Sequence, residues 1–149
     1  MDKTPQRILT ILLCLRALPE IGFAQTRDGL LGHHWGTPVA MLADKVELRK
    51  PRTEGDLLLY STGLRSIGEA AVDQCDIEFV NGRLAGVIVT THSQENSRRI
   101  LTLLQKEYGE GTSNHPRART WLTPNTHVSY DEDSFGDAYI YWYSTLLQR

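Results

Sequence analysis

Long hydrophobic runs, blocks of like charge, paired cysteines and the short motifs of known catalytic centres are all missing from this 149-residue sequence. The longest apolar stretch, Ile8 to Leu15, is interrupted soon afterwards by Arg16, Pro19 and Glu20. A membrane-crossing helix needs about 20 apolar residues, so that stretch is too short to span. The 16 basic and 18 acidic residues give a net charge of −2 and are scattered along the chain. Nucleic-acid binders gather Lys and Arg on one face, so no nucleic acid is expected among the partners. None of the patterns G-x-S-x-G, H-E-x-x-H and G-x-x-x-x-G-K occurs. The expectation therefore leans away from an enzyme, with no catalytic residue assigned and no cofactor implied. Repeats of fixed period are absent too, and a chain with 40% hydrophobic and 23% charged residues has ordinary globular composition.

What is present begins with an address. Lys3 and Arg7 precede the run Ile8 to Leu15, which together have the positive n-region and apolar h-region of a bacterial secretory signal. Gly22-Phe23-Ala24 then places small residues at the two positions a signal peptidase reads. The reading is a signal peptide over 1–24, cleavage before Gln25, and one periplasmic or secreted domain over 25–149 without a membrane span. Arg16 and Glu20 are uncommon in the second half of such a signal. Leu13 stands where a lipoprotein signal needs a small residue, so Cys14 is not read as a lipid anchor. Cleavage leaves 13 basic and 16 acidic residues and a single cysteine, Cys75, so no internal disulfide can form. Cys75 lies in phase with Ile77 and Phe79 and reads as a small buried hydrophobe.

The remainder reads as strands around one helix. Gly36-Thr37-Pro38 suggests an N-cap with proline at the first helical position of a short helix over Val39 to Leu42. A strand is expected around Val46 to Arg49, then a turn before Leu57-Leu58-Leu59-Tyr60. From Cys75 onward, Ile77 and Phe79 alternate with Asp76 and Glu78 up to Asn81-Gly82, a dipeptide that favours a two-residue type I′ turn. The return strand, Arg83 to Thr91, is apolar on both faces and belongs in the middle of a sheet. Ser93 is placed to cap a helix from Gln94 to Tyr108, where Ile100, Leu101, Leu104 and Tyr108 fall on one side. Gly109 ends it. A polar loop through Ser113, Asn114 and Pro116 leads to strands near Arg119 to Leu122, Thr126 to Tyr130 and Asp137 to Ser144. The expected class is α+β: an antiparallel sheet packed against one main helix, about 94–108, plus a short N-terminal helix.

Trp35-Gly36-Thr37-Pro38, Phe79-Val80-Asn81-Gly82-Arg83-Leu84, Tyr108-Gly109, Trp121 and the aromatic last strand, taken in order, resemble a loose family of small uncharacterised exported bacterial proteins. The resemblance covers most of residues 32 to 144. It implies export and this topology, and it implies no catalytic residue and no substrate.

Three clusters carry candidate chemistry. His33 and His34 could offer imidazole nitrogens to a metal, but adjacent residues on extended chain point to opposite faces, so His92, His115 or His127 would have to converge with one of them. Asp131 to Asp137 has oxygens and a glycine at several positions of a calcium loop. Phe135 and Trp142 stand where further ligands belong, so it reads as an acidic hairpin turn. The last strand alternates Tyr139, Tyr141 and Tyr143 on one face with Ala138, Ile140 and Trp142 on the other, and seven of the twelve aromatic residues lie from Trp121 onward. An uncovered tyrosine face could stack a sugar or receive a partner protein.

These observations predict a non-enzymatic binding or interaction module of the cell envelope. Tyr139, Tyr141, Tyr143 and Trp35 are the binding residues, and an envelope protein or glycan is the partner. The alternative is a small hydrolase or metal-dependent periplasmic protein using His33 and His34. Pairing between exposed strand edges could add self-association.

Overall fold

A computed structural model describes residues 28–30 and 32–147, so the expected signal segment and cleavage site lie outside the described residues. Two short strands open the described chain, β1 (Gly29–Leu30) and β2 (His33–His34), followed by helix α1 (Val39–Ala43). Next come β3 (Leu48–Glu54), β4 (Leu57–Thr62), β5 (Ser66–Ile67), β6 (Ala70–Ala71), β7 (Gln74–Val80) and β8 (Arg83–Thr91). Helix α2 (Gln94–Tyr108) precedes β9 (Thr112–His115), β10 (Ala118–Leu122), β11 (Thr126–Glu132) and β12 (Ala138–Ser144).

Eight of these strands form one antiparallel sheet in the order β3-β4-β7-β8-β12-β11-β10-β9, while β1 pairs with β2 and β5 with β6. Strands hold 51% and helices 17% of the described residues. This corrects the expected α+β class. The architecture is a mainly β, eight-stranded sheet, not a sheet packed against a main helix. The sheet outgrew the expectation because two polar segments, the part of β3 beyond Arg49 and the whole of β9, join its edges. In β3 all residues after Leu48 are exposed, and in β9 all four are, so neither shows the alternation that betrays a half-buried strand. Thr112 to His115, expected as loop, is therefore strand. Pro51 is tolerated because β3 is an edge, and the register shifts between Arg49 and Arg52.

Asn81-Gly82 makes the expected tight turn, with φ of 50° and 71°. The chain before α1 is sewn to this hairpin. Gly36 N donates to Leu84 O, Leu84 N to Thr37 O and Val39 N to Gly82 O, at 2.8, 2.8 and 3.0 Å. That pairing moves the cap of α1 from Thr37 to Pro38, whose ψ of 144° is still extended. Ser93 also departs from its expected role. Its φ is 80° and its side chain makes no capping bond. Its N–H is held by Asp137 Oδ1 at 2.9 Å instead.

Apolar side chains gather on one face of the sheet. Ile77, Val87, Val89, Val128, Tyr130, Ile140 and Trp142 join Leu42, Ile67 and Ala70 there, with Ile100, Leu101 and Leu104 from α2. Each such side chain contributes about 1.5–3 kcal/mol of transfer free energy when fully buried. Polar ties fix the helix: Arg98 lies 3.4 Å from Glu132 Oε2, which accepts from Tyr130 Oη at 2.6 Å. At the helix end, Trp121 Nε1 donates to Gly109 O at 2.8 Å.

Candidate functional site

Strand pairing determines what shares the opposite face. Tyr139, Tyr141 and Tyr143 stand beside Thr90, Ile88 and Gly86 of β8 and beside Asp131, Ser129 and His127 of β11. One strand further, Thr90, Ile88 and Gly86 face Gln74, Asp76 and Glu78 of β7. The three expected tyrosines are thus brought together on the face away from the main core. Tyr139 is 45% exposed, whereas Tyr141 and Tyr143 are half-buried.

This face carries a chain of polar contacts across four strands. Tyr141 Oη donates to Glu78 Oε2 at 2.5 Å, and the Tyr141 ring lies 4.7 Å from that of Tyr143. Tyr143 in turn hydrogen-bonds His127 through Oη and Nδ1. Burial first, then the bond to Glu78 and its charge, hold the Tyr141 phenol well above its ordinary value. Burial and the negative charges of Glu78, Asp76 and Glu54 raise Tyr139 in the same direction. Both phenols stay protonated at neutral pH, as donors and as uncharged rings.

Asp76 and Glu78 share this face, and sequence reasoning passed over them as the polar side of a strand. Both are buried. Asp76 Oδ2 accepts from Arg52 Nη2 at 3.0 Å and from Gln74 Nε2 at 2.8 Å. Its Oδ1 is buried without a hydrogen-bond partner among the described residues. The one trace in the sequence was that Arg83 to Thr91, the strand they hairpin with, is apolar on both faces.

Trp35 is not part of this face. It packs against the main core, and its Nε1 donates to Thr126 Oγ1 at 2.8 Å, so it pins the first described segment to β11. His33 and His34 pair with Leu30 and Gly29 in the two-residue strand β2. Among the described residues, no three or more His, Cys, Asp or Glu side chains are placed to hold a metal ion. Cys75 faces the core and borders a cavity of about 270 Å³ lined by Leu30, Val46, Leu64 and Ile77 and by no described histidine. Burial pushes its thiol up to about 11. No described helix is long and apolar enough to cross a membrane.

A scan against family models, a search of curated proteins and a search of solved structures each found no match.

Proposed function

We propose that this protein is an exported, non-enzymatic binding module of the cell envelope, and that its ligand face is the sheet surface bearing Tyr139, Tyr141 and Tyr143. The observation that carries this reading is the placement of all three tyrosines on the face away from the core, with Tyr139 open to solvent. Tyrosine offers a large, rigid contact area with a hydrogen-bonding tip, which suits an envelope protein or a glycan. The signal-like pattern of Lys3, Arg7 and Ile8 to Leu15 and the resemblance to small exported proteins support the export half.

The test is photo-cross-linking. With p-benzoylphenylalanine replacing Tyr139, irradiation in an envelope extract gives a discrete adduct. The same group replacing Met41, which is 56% exposed on α1, gives none. Equal labelling at both positions, or none at 139, refutes the reading. Mass spectrometry of exported material should begin at Gln25, and a retained Met1 refutes export.

A further inference from the structure

The segment entering β3, the segment leaving β4 and strands β1 and β7 border the cavity of about 270 Å³. Its inner walls are apolar. Leu30, Cys75 and Ile77 are buried there, and Val46 and Leu64 are half-buried against the same core. The Cys75 thiol, raised by burial, stays uncharged at neutral pH and adds to these walls. Charge enters only through three exposed residues at the rim, Lys45, Glu47 and Arg49.

The rim holds an excess of positive charge. Arg49 Nη2 donates to Glu47 Oε2, and these side chains are 46% and 66% exposed. An ion pair so open to water is weak, so the guanidinium can exchange Glu47 for a carboxylate that a ligand brings. Lys45 has no acid partner among the described residues. Gly63 keeps the arginine head in place. A Cβ there would lie 3.0 Å from Arg49 Nη2 and 3.7 Å from Glu47 Oε2. Gly63 has no positive φ, so the backbone does not demand glycine, and what the missing side chain provides is room for the guanidinium beside the cavity. Apolar walls below a rim with two cations and one acid suit a ligand with a hydrocarbon end and a negative end. A cavity of about 150 Å³ takes one benzene molecule, so this one has room for about eight to ten heavy atoms.

We propose that this cavity binds a medium-chain monocarboxylate, with its hydrocarbon chain between Leu30, Val46, Leu64 and Ile77 and its carboxylate on Arg49 and Lys45. The site is separate from the tyrosine face, because Cys75 and Ile77 join the core while Asp76 and Glu78 share the other side of β7.

Calorimetry of the full chain at neutral pH with octanoate, octanol and acetate tests it. Octanoate binds. Octanol, which keeps the chain and lacks the charge, binds at least about fivefold more weakly because a charge-assisted bond is lost. Acetate, which keeps the charge and lacks the chain, gives no measurable heat. Arg49→Gln and Lys45→Gln each weaken octanoate binding by at least about threefold and leave octanol binding unchanged. Both positions are exposed, so these variants keep the fold, which circular dichroism checks. Glu47→Gln frees Arg49 from its own acid and strengthens octanoate binding. Absence of octanoate binding, equal affinity for octanol, or octanoate affinity unchanged in both Arg49→Gln and Lys45→Gln overturns the proposal.

Discussion

Tyr141 reaches across strand β8 to give its phenolic hydrogen to Glu78 Oε2, and the residue it passes over is Gly86. A Cβ at Gly86 would lie 2.6 Å from that carboxylate oxygen, 3.1 Å from Trp142 O and 3.1 Å from Tyr141 Cε2. Glycine weakens a strand interior, so its presence mid-sheet marks a close approach. Here the approach is between a buried acid and its phenol donor.

Gly86→Ala should therefore destabilise the protein by about 1–3 kcal/mol despite the better strand propensity of alanine, because the added methyl group overpacks a filled space. Urea unfolding followed by tryptophan fluorescence reads the change. A neutral or stabilising result would show that Glu78 and Tyr141 yield easily.

Ser93 holds a φ of 80°, which costs a non-glycine residue, and its hydroxyl gains only a 3.3 Å contact from Asn96 in return. Ser93→Gly should raise stability by about 1 kcal/mol, seen as a higher melting temperature. A lower one would mean that the hydroxyl matters more than the backbone.

Alkaline pH should weaken the fold. The Cys75 thiol rises from its ordinary 9.0 to about 11 by burial, a contact with Thr62 acting against this and the charge of Asp76 adding to it. A raised folded-state value means that the unfolded chain releases the proton first. Its stability contribution is complete below pH 9.0 and is lost as pH climbs toward about 11. The loss is on the order of 2 kcal/mol. Tyr130 and Tyr141, also raised, add losses of the same sign from about pH 10 upward. Cys75→Ala should flatten the part of the stability curve that begins at 9.0, and an unchanged curve would show that the thiol titrates freely.

Trp35→Phe removes the donor to Thr126 Oγ1, which itself lies 2.9 Å from Asp28 Oδ1. Stability should fall by about 1 kcal/mol, the usual worth of one hydrogen bond. Adduct formation at position 139 should not change. Lost adducts with intact folding would return Trp35 to the ligand face.

Local signals were legible and long-range ones were not. The spacing of Ile100, Leu101 and Leu104 marked α2, whose bounds are Gln94–Tyr108, and Asn81-Gly82 marked the hairpin. The motif around Trp35 and that around Asn81-Gly82 could be read separately in the sequence, but their backbone pairing could not. The polar edge β9 escaped notice, and β3 (Leu48–Glu54) was expected only around Val46 to Arg49, because an exposed strand is stabilised by ladder bonds that leave no hydrophobic period. Alternation put the three tyrosines on one side, yet which side the core would take depended on the whole strand order. Asp76 and Glu78 were hidden for the same reason, since their burial arises from Arg52 on β3 and Tyr141 on β12, far away in sequence.

Carbene footprinting of the purified protein, alone and then in envelope extract, tests most directly whether a partner sits on the tyrosine face. Tyr139 and Tyr143 should become protected in the extract while Phe135, 87% exposed in the turn before β12, stays fully labelled. Protection at Phe135 or at His33 and His34, with Tyr139 still labelled, would place the partner elsewhere and contradict the proposed binding face.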